Sequence, residues 1–495
     1  KAANALAATG DDRAAPILNA MLNRDLYVRK SDGKIVIAHR KSGAYEVTDP
    51  LNGESLGTLK SGDLSKLRSN NRLRRSIRTA IGGLQLVSKD PVKRIAAAEA
   101  VFKSPKADQI ETLRKALERE ADESVKPAFA RALAAAELTH SKDTEVRVAA
   151  VNVLREYTDP GVSALLKRFL RNGEDEKVVG AAQSALKDIE NRVFLWELLG
   201  QLFTGLSLGS VLLLAAIGLA ITFGVMGVIN MAHGEMVMLG AYTTFVVQEV
   251  FRTSFPGAFD YSIAVAIPMA FLVAGAFGVA IERGIIRFLY GRPLETLLAT
   301  WGLSLILQQL VRTIFGPTNR EVGNPSWMSG AIELSGGVLL TYNRIWIIVF
   351  SLLVVAGLAL VLKKTPLGLQ MRAVTQNRRM ASSMGIKTGW VDAMTFGLGS
   401  GIAGMGGVAL SQIDNVSPNL GQAYIVDSFM VVVFGGVGNL LGTLFGATTL
   451  GIANKFLEAW SGAVLAKILI LVAVILFIQK RPRGLFALKG RAAEA

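Results

Sequence analysis

The residues most able to do chemistry lie in Val228-Ile229-Asn230-Met231-Ala232-His233-Gly234-Glu235, where an imidazole and a carboxylate interrupt an apolar stretch. An ionised acid in the middle of a bilayer costs about 2.5–3.5 kcal/mol, so such groups need a reason to be there. At helical spacing Asn230, His233, Val237, Ala241, Thr244 and Gln248 share one face. Apart from the His, that stripe offers neutral donors, acceptors and small side chains, which suit the passage of an uncharged polar solute. The bland reading is interhelical glue, with His233 and Glu235 fixing a tight turn near the membrane surface. Thr300 and Gln308, with Gln309 beside it, are further polar groups in an apolar run. Either Gln could line a path. Asp427 begins an apolar segment and reads as a helix N-cap.

A second group is basic. The segment 363–388 runs Thr365-Pro366-Leu367-Gly368 through Arg372, Arg378, Arg379, Met380 and Ala381 to Gly385, without an acid. A Pro start, a helical run and a Gly stop describe one short helix between two spans. Such a helix is a docking knob for a partner. No Gly-x4-Gly-Lys-Ser/Thr phosphate loop exists in the chain, so any ATP-driven step belongs to another polypeptide. Gly397-Leu398-Gly399-Ser400-Gly401-Ile402-Ala403-Gly404 has the glycines of a dinucleotide loop but lies within a span, which removes that reading.

The elements that must position these groups are membrane spans. Residues 1–192 hold 34 of the 54 Lys/Arg and 26 of the 39 Asp/Glu, leaving 20 and 13 for the other 303 residues. Residues 193–495 are therefore expected to form a polytopic α-helical domain of about 8–9 spans. Spans are expected at about 203–224, 226–250, 262–281, 293–315, 345–362, 389–412 and 462–479. The glycine-rich stretch 424–456 reads as one long tilted helix or two short broken ones. Gly438, Gly442 and Gly446, like Gly397 and Gly401, recur every four residues, which permits close helix contact in lipid. Loops 282–292 and 363–388 and the tail after 479, with Lys489 and Arg491 against Glu494, carry the bases and should face the cytoplasm. Loops 316–344 and 413–423 should face out. The first span then runs inward, residues 1–192 lie outside the cytoplasmic membrane, and an export signal is expected upstream of Lys1.

Residues 1–192 read as a HEAT-like helical-repeat domain. A phrase of Asp, Val three residues on and a later Leu recurs at Asp122, Asp143 and Asp175, with a weaker copy at Asp90, and each Asp reads as an N-cap. Ala149-Ala150 and Ala181-Ala182 allow close helix pairing. Residues 1–24 form one more unit, with Ala14, Ile17, Leu18 and Leu22 on one face. A small β insert is expected at about 26–58, its turns at Ser31-Asp32-Gly33 and Lys41-Ser42-Gly43. Arg72, Arg74, Arg75 and Arg78 form a basic run that reads as a solvated face or a surface for an anionic partner.

Composition removes other classes. There are no cysteines and only three scattered histidines, His39, His140 and His233. No disulfide framework, thiol chemistry or zinc site is expected, and no catalytic constellation or cofactor. The net charge of +15 is half in membrane-flanking loops, so nucleic acid is not implied.

Three stretches carry a resemblance. They are Gly205 to Gly209 with Gly224 through Glu235 to Tyr242, Arg292-Pro293-Leu294 to Leu305, and Thr365 through Met371-Arg372-Ala373-Val374 to Ile386. Together, over about 196–486, they resemble the permeases of branched-chain amino-acid-type ABC importers. Within that family the chain is similar to the B-type urea permease, through the N-terminal extension and Thr375-Gln376-Asn377-Arg378-Arg379-Met380-Ala381. Amino-acid members have an acid and an alanine where Arg379 and Met380 stand; Ala381 and Gly385 keep the ATPase-docking pattern. The resemblance implies a transporter subunit in the inner membrane that is not itself an enzyme. Its partners would be a second permease, two ATP-binding subunits and a periplasmic solute-binding protein, within membrane lipid. A neutral stripe suits urea. A branched-chain amino acid or short amide, a passive channel or ion-coupled carrier, and a scaffold role stay open.

Overall fold

The computed structural model describes residues 14–41, 44–67, 77, 85–173, 175–334 and 337–486. The basic run Arg72, Arg74, Arg75, Arg78, the turn residues Ser42 and Gly43, most of 1–24, and Lys489, Arg491 and Glu494 lie outside them. The chain divides into two compact units, Lys1–Leu195 and Trp196–Ala495.

In the first unit, α1 (Ala14–Asn23) leads into an antiparallel sheet of β1 (Leu26–Arg29), β2 (Ile35–Lys41), β3 (Ala44–Thr48), β4 (Ser55–Leu59) and β5 (Leu64–Lys66), in the order β4-β3-β2-β1-β5. Tyr27, Val36, Ala38, Val47 and Leu64 form its core. The sheet thus runs to Lys66, beyond the 26–58 expected. Strand β4 is exposed along most of its length and contains Gly57, so it lacks the alternation that marks a strand.

Five helices follow: α2 (Pro91–Lys103), α3 (Ile110–Arg119), α4 (Lys126–His140), α5 (Thr144–Arg155) and α6 (Pro160–Asn172). Asp90, Asp143 and Asp159 cap α2, α5 and α6 by accepting from Val92, Glu145 and Val162 N–H. Asp122 instead binds Ser124 in the turn before α4. Ala150 and Ala182 are buried where helices pair. Arg131 lies over the Phe102 ring and pairs with Asp159, tying helices far apart in sequence.

The second unit is built of helices. The chain enters it through α7 (Glu176–Met226), followed by α8 (His233–Ser254), α9 (Ser262–Gly284), α10 (Pro293–Phe315), a β6–β7 hairpin (Ala331–Leu334, Val338–Thr341), α11 (Tyr342–Lys364), α12 (Pro366–Gln376), α13 (Arg378–Ser383), α14 (Thr388–Ser411), α15 (Leu420–Gly435), α16 (Leu440–Ser461) and α17 (Ala463–Lys480). Among the described residues seven helices are long and apolar enough to cross a bilayer. The seven omit α8, which carries His233, Glu235, Gln248, Glu249 and Arg252, and the 16-residue α15.

Two expectations are corrected, for 226–250 and Asp427, and for 424–456 the broken alternative is the one found. The span expected at 226–250 starts at His233, because Gly227 takes φ +67° and the chain to Ala232 is not helical. The stretch 424–456 is two helices broken at Gly436–Asn439, where Gly436 takes φ +106°. Asp427 is not a cap. It lies in the second turn of α15 and pairs with Lys467 of α17 at 3.3 Å.

Close glycine contacts hold this bundle. A Cβ on Gly240 would stand 2.0 Å from the Gly404 carbonyl oxygen, and one on Gly442 2.2 Å from that of Gly435. The ends sort into two groups. Gly224 meets Gly438, and Gly436 meets Gly484, so the end of α7, the 436–439 turn and the segment after α17 share one end of the unit. At the other end Arg320 and Val416 pair as a β-bridge, and Asp260 binds Ser326.

Candidate functional site

The site grows from the break between α7 and α8. Asn230 Oδ1 accepts from Ala232 N–H at 3.0 Å, an Asx turn that starts α8. Met231 N–H, having no helical acceptor, donates to Thr300 Oγ1 of α10 at 3.1 Å. His233 is fully buried and its Nε2 lies 3.0 Å from the Ala215 carbonyl of α7, so that nitrogen carries the proton. Ala215 is eleven residues before the end of α7, about 16 Å along its axis. Helix α8 therefore begins well inside the helical bundle, alongside the middle of the apolar part of α7. Non-helical backbone is tolerated there because protein surrounds it.

Glu235, in the first turn of α8, points at α10. Its Oε1 accepts from Ser304 Oγ at 2.8 Å and Gln308 Nε2 at 2.9 Å, and Ser304 and Gln308 are one turn apart. Thr300 is one turn earlier on the same face. A negative side chain at a helix N-terminus is favoured by the helix dipole. Glu235 Oε2, Asn230 Nδ2 and His233 Nδ1 are buried with no partner among the described residues. The N-terminus of α15 closes the site from the other side: Gly421 packs directly on Gly234.

The structure thus brings Asn230, Glu235, Thr300 and Gln308 together, and adds Ser304. The signal for Ser304 was present, since Thr300, Ser304 and Gln308 recur every four residues. His233 points away from this group, toward α7. Thr244 Oγ1 bonds back to the Gly240 carbonyl of its own helix. Gln248 exchanges two hydrogen bonds with the Gly323 backbone, at 2.8 and 2.9 Å, and fixes the loop before β6. The six stripe positions do not form one continuous face, since Asn230 precedes the helix. Gln309 is exposed on the opposite side of α10 from Ser304.

The loop 363–388 holds two short helices, not the one expected. Thr365 caps α12 with Pro366 at its first position, and Gly368 packs on the Leu362 carbonyl, where a Cβ would stand at 2.1 Å. Arg372 binds that same carbonyl. Asn377 breaks the helix and caps α13 through Met380 N–H. Arg378 forms a two-pronged pair with the fully buried Asp392 of α14 and stacks on Tyr290, whose hydroxyl donates to Glu282 at 2.8 Å. Burial opposes charge on Arg378, but the Asp392 carboxylate outweighs it and holds the guanidinium above its ordinary pKa. Burial and the nearby carboxylates push the Tyr290 hydroxyl up, so it stays a donor. Ala381 is buried, and Gly385 takes φ +86° to end α13. Arg379, Met380 and Met384 are exposed, the two methionines at 60% and 78%.

Comparison with known proteins bears on both regions. Residues 201–478 match the family described as the permease component of branched-chain amino acid transport systems. Residues 1–24 match the PBS lyase HEAT-like repeat. The chain is 30% identical over 297 residues to the high-affinity branched-chain amino acid transport permease BraD of Pseudomonas aeruginosa, covering 59% of this chain and 96% of that protein. It is 31% identical over 295 residues to LivH of Escherichia coli, with 58% and 94% covered. A shorter match, 31% over 131 residues, links it to the ribose import permease RbsC of Bacillus subtilis, covering 24% of this chain and 41% of that one. No solved structure matches the chain.

Proposed function

Because the chain belongs to the permease family of branched-chain amino acid transport systems, we propose that it is the membrane-spanning subunit of an ATP-driven importer for urea, in the bacterial inner membrane. It works with a second permease, two ATP-binding subunits and a periplasmic solute-binding protein. The α12–α13 loop docks an ATP-binding subunit. The Asn230–Glu235–Thr300–Ser304–Gln308 group serves the path. The helical repeats of the first unit lie outside the membrane on the periplasmic side.

The observation carrying urea is the first unit. The amino acid permeases are matched over 94–96% of their length by 58–59% of this chain, so the remaining two fifths has no counterpart in them. Glu235 apart, the group suits a neutral solute: Ser304, Gln308, Thr300 and Asn230 carry hydrogen-bonding groups without charge. A planar amide can satisfy such groups without bringing a charge into low dielectric. A branched-chain amino acid is the second reading. The relatives' names favour it, as does Arg312, one turn beyond Gln308, whose cation could meet a carboxylate.

The complex reconstituted in liposomes, with its solute-binding protein and ATP inside or outside, tests this. Radiolabelled urea should accumulate only with ATP on the ATPase side, and excess leucine should not compete. Accumulation of leucine and not urea selects the second reading. Uptake of either without ATP rejects an importer.

A further inference from the structure

A groove opens on the second unit between α9 and α11, two spans whose apolar stretches are mostly exposed. Ile263 of α9, Ile347 of α11 and Val408 and Ala409 of α14 form its buried floor, and Trp327 and Trp346 stand half exposed at its rim. The two indoles meet edge to face, 5.2 Å between centroids. Trp327 Nε1 donates to the Asp260 carbonyl at 3.1 Å, which anchors the rim. The groove encloses about 220 Å³ and is lined by apolar side chains and Gln412. An apolar cavity of such a size stays dry and takes up hydrocarbon.

The groove is graded along its length. Asn343 Nδ2 donates to the Gln412 carbonyl at 3.1 Å, which sets the end of α14 beside the first turn of α11. From there Trp346, Phe350 and Leu353 carry the groove along one face of α11 to the middle of that helix, about 10 Å along its axis. One end thus lies at the end of a span, where indoles of membrane proteins collect, and the other lies within it. A polar group at the first end is unsatisfied. Ser411 Oγ gives its proton to the Val408 carbonyl and accepts from Gln412 Nε2 at 3.1 Å, which orients the amide. Gln412 is only 5% exposed, and its Oε1 is buried with no donor among the described residues. A ligand that completes the groove brings an apolar chain and, at one end, a hydrogen-bond donor.

We propose that this groove binds a membrane phospholipid with a primary ammonium head, phosphatidylethanolamine, one acyl chain lying along α11 and the head at Gln412. The exposed lip, Val349 and Leu353, is apolar, so a chain enters from the side without crossing a polar surface. An ammonium supplies the donor that Gln412 Oε1 lacks, whereas a choline head has no N–H to give. Asp260 lies beside the rim, its carboxylate held by the Ser326 N–H at 2.8 Å and by Ser326 Oγ. Its negative charge favours a cationic head over an anionic lipid that offers only hydroxyls.

The test is crosslinking from the lipid side, in native membranes that hold the full chain in its complete assembly. Phosphatidylethanolamine carrying a diazirine in its acyl chain is incorporated and photolysed, and adducts are mapped by peptide mass spectrometry. The expected result is an adduct within residues 346–353 that unlabelled phosphatidylethanolamine suppresses severalfold better than phosphatidylcholine or phosphatidylglycerol of the same chains. Gln412→Leu should erase that preference and keep the adduct. Leu353→Trp, at the exposed lip, should lower the adduct severalfold, while Ile306→Trp, exposed on α10, should not. Equal competition by the three lipids, or an adduct that persists in Leu353→Trp, overturns the assignment. So does the lack of any adduct in 346–353, the result expected where a partner subunit fills the groove. Solute uptake is not the readout, so none of these results bears on the importer reading.

Discussion

Gly234 and Gly421 meet backbone to backbone: a Cβ on either would stand 2.5 or 2.4 Å from the carbonyl oxygen of the other. This contact joins the N-termini of α8 and α15, two helices that both start inside the bundle. Ala at either position should force the two termini apart, and overpacking of this kind costs about 1–3 kcal/mol. Gly302→Ala is the contrast, since a Cβ there meets nothing within 4 Å. It should be neutral or stabilising by up to about 1 kcal/mol, as in any helix interior. Thermal unfolding of the purified protein in detergent measures the difference. Equal melting of all three variants would sink the account.

Glu235 should act by hydrogen bonding. Glu235→Gln keeps an acceptor for Ser304 and Gln308, so uptake is expected to fall partially. Glu235→Leu leaves both donors buried and unpaired at about 1–3 kcal/mol each and should abolish uptake. For His233 the geometry selects the substitution. The Nε2 position contacts Ala215, and Gln reaches it where Asn falls short. His233→Gln should therefore outperform both His233→Asn and His233→Leu. Initial uptake rates with ATP clamped and the proton gradient dissipated report this. Collapse of wild-type uptake with the gradient would instead indicate an ion-coupled relay.

Much of this was legible in the sequence because apolar runs are long and basic loops are dense. The break before α8 was not. Val228-Ile229-Asn230-Met231-Ala232 is as apolar as a span, and what unwinds it is the +67° φ of Gly227 together with a bond from Met231 to Thr300, 69 residues further along the chain. Hydropathy carries no such information. Glu235 was visible as an anomaly, but its partners required knowing which face of α10 turns inward. The Asp427–Lys467 pair was hidden because neither residue neighbours the other in sequence, and an Asp early in an apolar run looks like a cap.

Topology gives a third expectation. In spheroplasts, external protease should remove residues 1–192 and spare the 363–388 loop, the outcome expected if the positive-inside bias of the bases flanking α11, α12 and α17 sets the orientation. Survival of the first unit in intact spheroplasts, with cleavage after lysis, would reverse the orientation.

Arg378 and Asp392 give a fourth. Asp392 is fully buried, and removal of a partner from a buried ion pair costs about 3–5 kcal/mol, less here because Arg378 is partly exposed. Arg378→Ala should loosen α13 from α14, so ATP is hydrolysed with less solute moved per cycle. Adding Asp392→Asn to Arg378→Ala should recover part of the loss, since no unpaired charge remains. Additive losses in the double variant, measured as uptake per ATP, would show that the pair does not act as a unit.

The last prediction separates docking from packing in the same loop. Ala381 keeps the family's pattern but is buried within this subunit, and the Ile386 N–H bonds to its carbonyl at 3.1 Å. A bulky residue there should damage the permease itself, lowering its melting temperature before any ATPase is added. Met380 and Met384 are exposed, and unbranched thioether side chains adapt to a groove. Met380→Asp and Met384→Asp should therefore leave the melting temperature unchanged while weakening binding of the ATP-binding subunits, because each places a solvated charge in an apolar contact. Co-purification of the four subunits, set beside melting of the isolated permease, distinguishes the two classes. If Ala381→Phe melts normally and loses the ATPases while the two Asp variants keep them, the docking surface lies on the other side of α13.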